Sequence, residues 1–143
     1  MPKKNILFLC TGNSCRSQMA EGWARHLKGE EFSAYSAGTR ANGLNPFAVK
    51  VMREAGVDIS GHESNTTEQL SDVRMDVVFT VCSDAHENCP YFPGGRIIHV
   101  GFDDPPRLTA DIADEEEKLA VYRRVRDEIR DFVERIESYV EDR

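Results

Sequence analysis

Long apolar runs are missing from this 143-residue chain. No stretch approaches the roughly 18 consecutive apolar residues that a membrane-spanning helix needs, so no membrane association is expected. The start, Met1-Pro2-Lys3-Lys4 and then a short apolar stretch, lacks the longer apolar region and small-residue cleavage site of a signal peptide. The expected compartment is the cytoplasm. Basic residues are also in deficit, with 18 Lys and Arg against 25 Asp and Glu and a formal net charge of −7. A surface of that sign argues against nucleic acid as a partner. Cysteine is sparse and badly spaced for metal: Cys10, Cys15, Cys82 and Cys89 are separated by four, 66 and six residues, with no Cys-x-x-Cys pair. No metal and no cofactor are expected. Structural disulfides are improbable in a reducing compartment, which leaves redox or nucleophilic chemistry as the leading use for these thiols. Repeats, low-complexity segments and linkers are absent too, and one domain is expected over residues 1–143.

What is present alternates between two periods. Asn5–Leu9 is a short apolar run ending at Cys10 and suits a buried strand. Met19, Ala20, Trp23, Ala24 and Leu27 then recur at helical spacing over Ser17–Lys28, with Gly29 as the stop. Phe32–Ser36 reads as a second strand. Asn45-Pro46 is an N-cap followed by proline at the first helical position, before the stripe Ala48, Val51, Met52, Ala55 and the closing Gly56. Thr66–Leu70 reads as a short helical turn, Asp76–Val81 as a third strand and Arg96–Val100 as a fourth. Leu119, Tyr122, Val125, Ile129, Phe132, Ile136 and Val140 form one long amphipathic stripe, with Asp114 placed to cap it. The order predicts an α/β fold: a four-stranded parallel sheet with right-handed crossovers and helices on both faces. In such sheets ligands bind beyond the carboxyl ends of the strands. Cys10, Cys82 and the segment Gly101–Arg107 all fall there.

The chemistry concentrates in Cys10-Thr11-Gly12-Asn13-Ser14-Cys15-Arg16-Ser17, between the first strand and the first helix. Such a loop curls with its backbone N–H groups inward and opens onto a helix N-terminus, and both features favour an anion. The predicted oxyanion site is Thr11, Gly12, Asn13, Ser14, Cys15, Arg16 and Ser17. Gly12 would permit a positive φ, and Asn13 tolerates one better than most residues. Arg16 offers a planar fork for two oxyanion oxygens. Cys10 is the expected nucleophile, largely thiolate at neutral pH, with Ser17 able to donate to its sulfur. Cys15 reads as a packing residue of the loop. A local loop of this kind captures an anion despite the chain's net charge.

The run Leu7–Ser17 resembles the phosphate loop of low-molecular-weight protein tyrosine phosphatases. Gln18-Met19-Ala20-Glu21-Gly22 continues it in the manner of the thioredoxin-coupled arsenate reductases, which share that fold. Thr80–Pro90, carrying Cys82 and Cys89, is similar to the redox segment of those reductases. The resemblance implies arsenate reduction. Cys10 attacks arsenate, Cys82 attacks Cys10 and releases arsenite, and Cys89 attacks Cys82. The implied disulfides are Cys10–Cys82 and then Cys82–Cys89, the second reduced by thioredoxin. Phosphate and sulfate are implied competing anions, and a monomer is expected. A phosphatase of the same fold and a redox or anion sensor without turnover are the alternatives.

A straight helix over residues 83–88 would hold the two cysteines about 10 Å apart, whereas a disulfide needs α-carbons within about 7 Å. The second disulfide therefore requires that segment to loop or unwind. Asp104-Pro105 resembles the general-acid loop of both families, with Asp104 the acid, and Pro105 restricts Asp104 to extended backbone. Pro106 and Arg107 stand where phosphatases carry tyrosines, which weakens an aryl-phosphate reading. Asn13, Glu21 and Ser36 match a potassium site of some reductases. Asn65 stands where a carboxylate is expected there, and losing that charge weakens a cation site. His26, His62, His86 and His99 show no ligand spacing.

Overall fold

A computed structural model describes residues 3–82 and 95–141. Cys89 and His86 lie outside the described residues, as does the expected rearrangement between Cys82 and Cys89. Four strands form one parallel sheet: β1 (Lys4–Cys10), β2 (Phe32–Gly38), β3 (Val77–Thr80) and β4 (Arg96–His99), in the order β2-β1-β3-β4. The helices are α1 (Arg16–Lys28), α2 (Pro46–Glu54), α3 (Pro105–Leu108), α4 (Glu115–Glu134) and α5 (Ile136–Glu141), with a 3-10 turn at Thr67–Leu70.

The apolar run of β1 explains its central place. Successive strand residues face opposite sides of a sheet, and Ile6, Leu7, Phe8 and Leu9 are all fully buried. Both faces of β1 are therefore covered. On one side Phe8 stacks on Phe79 of β3 at 5.7 Å, and Phe132 of α4 meets Phe79 edge-on at 5.2 Å. Trp23 of α1 is buried too, its Nε1 donating to the Arg126 carbonyl at 3.2 Å. Burying the indole body while pairing its N–H satisfies both halves of that side chain.

The predicted caps hold. Asn45 Oδ1 accepts from the Phe47 and Ala48 amides at 2.8 and 3.1 Å, and Asp114 accepts from Glu117 N at 3.0 Å. Gly56, just past α2, has φ +88°, a conformation that glycine adopts without penalty. The C-terminal stripe differs from expectation. It is broken at Arg135 (φ −109°, ψ 19°), whose N–H bonds the Phe132 carbonyl at 3.1 Å, and the chain re-enters helix as α5. Ile136 and Val140 stay buried across the break. The segment after β4 is also more ordered than a loop. Asp104 is the N-cap position of α3, with Pro105 at its first turn. The fixed φ of proline is preorganised for a helix start, so one dipeptide both holds Asp104 extended (φ −95°, ψ 98°) and begins a helix.

β2 runs two residues beyond its predicted end, to Gly38. A Cβ at Gly38 would stand 2.6 Å from the Thr11 carbonyl oxygen and 2.8 Å from Asn13 N. Only glycine lets the end of β2 lie this close against the loop that follows β1.

Candidate active site

The loop between β1 and α1 is braced from outside. The Thr11 carbonyl accepts from Arg40 N at 2.9 Å and Thr39 Oγ1 at 3.2 Å. The Gly12 carbonyl accepts from Asn42 N at 2.9 Å, the Ser14 carbonyl from Asn45 N at 2.9 Å, and the Asn13 carbonyl from Ser64 Oγ at 3.0 Å. A planar trans peptide points its N–H opposite to its C=O. Four carbonyls engaged outward therefore turn the amides of Gly12, Asn13, Ser14 and Cys15 toward the loop's interior. This is the inward ring of donors that an oxyanion requires.

Of the two residues able to take a positive φ, Asn13 (49°) adopts it and Gly12 does not. Asn13 has its side chain to stabilise that backbone. Its Nδ2 donates to Ser17 Oγ at 2.9 Å, and its Oδ1 accepts from Asn65 N at 2.6 Å and from Gln18 Nε2 at 3.1 Å. A Cβ at Gly12 would press on Asn42 Nδ2, so the exposed Asn42 side chain would have to move aside. Ser17, expected to serve the Cys10 sulfur, is engaged with Asn13 in this arrangement.

Arg16 is nearly buried at the start of α1. It donates to the Phe102 carbonyl at 3.0 Å and lies 3.6 Å from Asp104 Oδ2. Its Nε is buried with no hydrogen-bond partner among the described residues. A buried orphan donor carries a cost of about 1–3 kcal/mol, which an oxyanion oxygen would remove. Around Arg16, residues Thr11, Cys82, Gly101, Phe102, Asp103, Asp104 and Arg107 line a cavity of about 440 Å³.

Cys82 sits directly after β3 and is buried, like Cys10 and Cys15. Cys82 is the largest single influence on the Cys10 thiol, and Cys82 Sγ is 3.3 Å from Thr11 Oγ1. Parallel pairing of β1 with β3, register Leu9↔Thr80, places the two strand ends side by side. The expected thiolate at Cys10 meets opposing influences. The Cys10 thiol is pushed well above its ordinary range, first by its hydrogen bond with Cys82 and then by burial, while Arg16 pulls the other way. Burial likewise pushes the Cys15 thiol up to about 12, as befits a packing residue.

Replacing Cys82 by alanine removes the first of these causes and leaves Arg16 in place. Alkylation of Cys10 in Cys82→Ala, followed against pH, is expected to rise at lower pH than in the wild type. An unchanged profile would show that Cys82 does not govern the ionisation of Cys10.

Of the positions matched to potassium, Glu21 is occupied with protein groups. Ser36 Oγ donates to its Oε1 at 2.5 Å, and Arg25 Nε lies 2.8 Å from its Oε2. Among the described residues no cluster of three or more His, Cys, Asp or Glu is placed to hold a metal ion. Several supporting residues have no sequence signature. Gln18 Nε2 also donates to the Glu63 carbonyl at 3.0 Å, and His62 Nδ1 is 3.0 Å from Gln18 Oε1. His62 is thus a brace behind the loop rather than a plain surface residue, and burial lowers its pKa. His99 Nδ1 lies 2.9 Å from Thr80 Oγ1.

A thiol at a strand end, ringed by inward amides and closed by a guanidinium, is the construction of the phosphatase-type oxyanion loop. The chain belongs to the low molecular weight phosphotyrosine protein phosphatase family, which it matches over residues 5–142. Within that family its similarity is to arsenate reductases. It is 52% identical to the arsenate reductase of Bacillus licheniformis over 136 residues, covering 94% of this chain and 96% of the relative. It is also 52% identical to that of Bacillus subtilis over 130 residues, covering 90% and 91%. Among solved structures, an arsenate reductase in the phosphate-binding state superposes with a TM-score of 0.79 at 30% identity, covering 96% of this chain and 98% of the other. Among the described residues no helix is long and apolar enough to cross a membrane.

Proposed function

We propose that this chain reduces arsenate to arsenite, with Cys10 as nucleophile, Cys82 as the resolving thiol and Cys89 as the thiol that hands the oxidation to thioredoxin. The observation that carries this reading is that Cys10 and Cys82 are brought together by the adjacent parallel strands β1 and β3, with Cys82 lining the cavity beside the guanidinium of Arg16. A phosphatase needs one cysteine at this place, whereas a reductase needs a second sulfur within bonding reach of the first.

The steps balance as follows. The loop amides and the Arg16 fork hold arsenate, and the Cys10 thiolate attacks arsenic. One oxygen departs as water with a proton supplied by Asp104. The Cys82 thiolate then attacks Cys10 Sγ. The sulfur–arsenic bond breaks, its electron pair stays on arsenic, and arsenite leaves as the Cys10–Cys82 disulfide forms. Attack by Cys89 on Cys82 frees Cys10 and forms the Cys82–Cys89 disulfide, which thioredoxin reduces. Phosphate and sulfate, of similar shape, compete for the loop. Asp103 is directed elsewhere, pairing with Arg124 at 3.1 Å, which leaves Asp104 as the acid.

The test is arsenate-dependent NADPH oxidation with thioredoxin and its reductase, wild type beside Cys89→Ser. Sustained consumption is expected for the wild type, whereas the variant should form about one equivalent of arsenite from its own two thiols and consume almost no NADPH. No arsenate-dependent consumption by the wild type would overturn the reading, and sustained turnover by Cys89→Ser would remove Cys89 from the relay.

A further inference from the structure

The net charge of −7 opposes entry of an anion, so the charges lining the cavity over the loop decide whether one is drawn in. Its lining carries two guanidinium groups, Arg16 and Arg107, and two carboxylates, Asp103 and Asp104. The carboxylates have cationic partners: Asp103 pairs with Arg124 at 3.1 Å, and Asp104 faces Arg16 at 3.6 Å. Arg124 is held on its other side by Glu128 at 3.1 Å. Arg16 is buried and fastened to the Phe102 carbonyl. Arg107 is exposed, and it makes no ion pair among the described residues. Its position is fixed by α3, whose turn is closed by Leu108 N to Asp104 O at 2.9 Å and Thr109 N to Pro105 O at 3.0 Å. Without Arg107 the lining would present one guanidinium against two carboxylates.

We propose that Arg107 captures the incoming oxyanion at the mouth of this cavity and passes it to the buried Arg16 fork, setting the KM for arsenate rather than the rate of its reduction. The inference rests on the arsenate reading above. Two chemical facts favour this division of labour. An exposed guanidinium attracts a multiply charged oxyanion from solution and can pair with two of its oxygens. Arsenite is an uncharged weak acid at neutral pH, so the same group exerts no hold on the product. Capture is selective for the substrate's charge and does not slow release.

Arg107→Ala is expected to raise the KM for arsenate about tenfold, the scale of one charge-assisted hydrogen bond, with kcat within about twofold and an unchanged melting temperature. Its kcat/KM should also respond less to ionic strength, because a steering charge is lost. Arg107→Lys should recover part of the KM, and Arg107→Glu should exceed the alanine effect. Calorimetric titration of phosphate and of arsenate into Cys10→Ser, with and without Arg107→Ala, reads the same affinity loss without turnover. If the wild type reduced no arsenate, the proposed function would fall while this titration still decided the role of Arg107. Equal anion affinity with and without Arg107 would overturn the inference. So would a raised KM for the protein reductant with the arsenate KM unchanged, which would make Arg107 a docking contact.

Discussion

Arsenate turnover by Cys10→Ser falls to background, a loss of at least about 10⁴-fold on the scale seen when a covalent nucleophile is removed. Serine keeps nearly the volume and the hydrogen-bonding capacity of the thiol, in a pocket where Cys10 is buried between the Thr11 backbone, Cys82 and Arg16. The fold and the anion cradle therefore persist. What disappears is the sulfur that attacks arsenic and is then itself attacked by a second sulfur, since an alkoxide is scarcely available at neutral pH and no S–S bond can follow. Any phosphatase side reaction should vanish in parallel, because it uses the same attacking atom. Turnover assayed beside calorimetric anion titration separates the cases: lost rate with retained affinity identifies the nucleophile. Residual turnover above about 1% of the wild type would move the attack to another thiol.

How much of this site the sequence revealed depends on how local each interaction is. The nucleophile loop was legible because its parts lie within eight residues and follow a run of four residues, Ile6–Leu9, whose burial is complete. The convergence of Cys10 and Cys82 was legible as well, since both end adjacent parallel strands. The braces were not. Arg40, Asn42, Asn45 and Ser64 reach the loop's carbonyls from two separate polar segments, and polar loop residues have no periodicity to betray a partner. The same holds for the backbone of Asn13: glycine was the obvious choice for a positive φ, but the decisive factor was the set of long-range hydrogen bonds to the asparagine side chain. The influences that oppose a Cys10 thiolate were hidden for a related reason. Helix terminus and arginine are visible in sequence, whereas the touching thiol and the extent of burial are tertiary facts. α3 shows a third case, in which Asp104-Pro105 carried a helix-start signal that was given only its loop meaning.

Cys82→Ser is expected to uncouple the two halves of the reaction. Reduction should fall to background while attack by Cys10 on an oxyanion continues. The reason is electron count. Arsenic must accept two electrons to become trivalent, and the structure offers them as the pair released when a second sulfur bonds to Cys10. A hydroxyl at position 82 can keep the hydrogen bond to Thr11 Oγ1, which spans 3.3 Å in the wild type, but it cannot become half of a disulfide. The Cys10–arsenic adduct then has no internal exit except hydrolysis back to arsenate. Hydrolysis of p-nitrophenyl phosphate tests the first half alone, because phosphorus is not reduced and no second sulfur is called for. It should stay within a fewfold of the wild type, or rise as Cys10 ionises more easily without its thiol neighbour. If phosphatase activity instead collapsed together with arsenate reduction, Cys82 would be acting on the loop's structure or on the attack itself. The contact between the two sulfurs would then be a packing feature of a phosphatase pocket, and no relay would start from it.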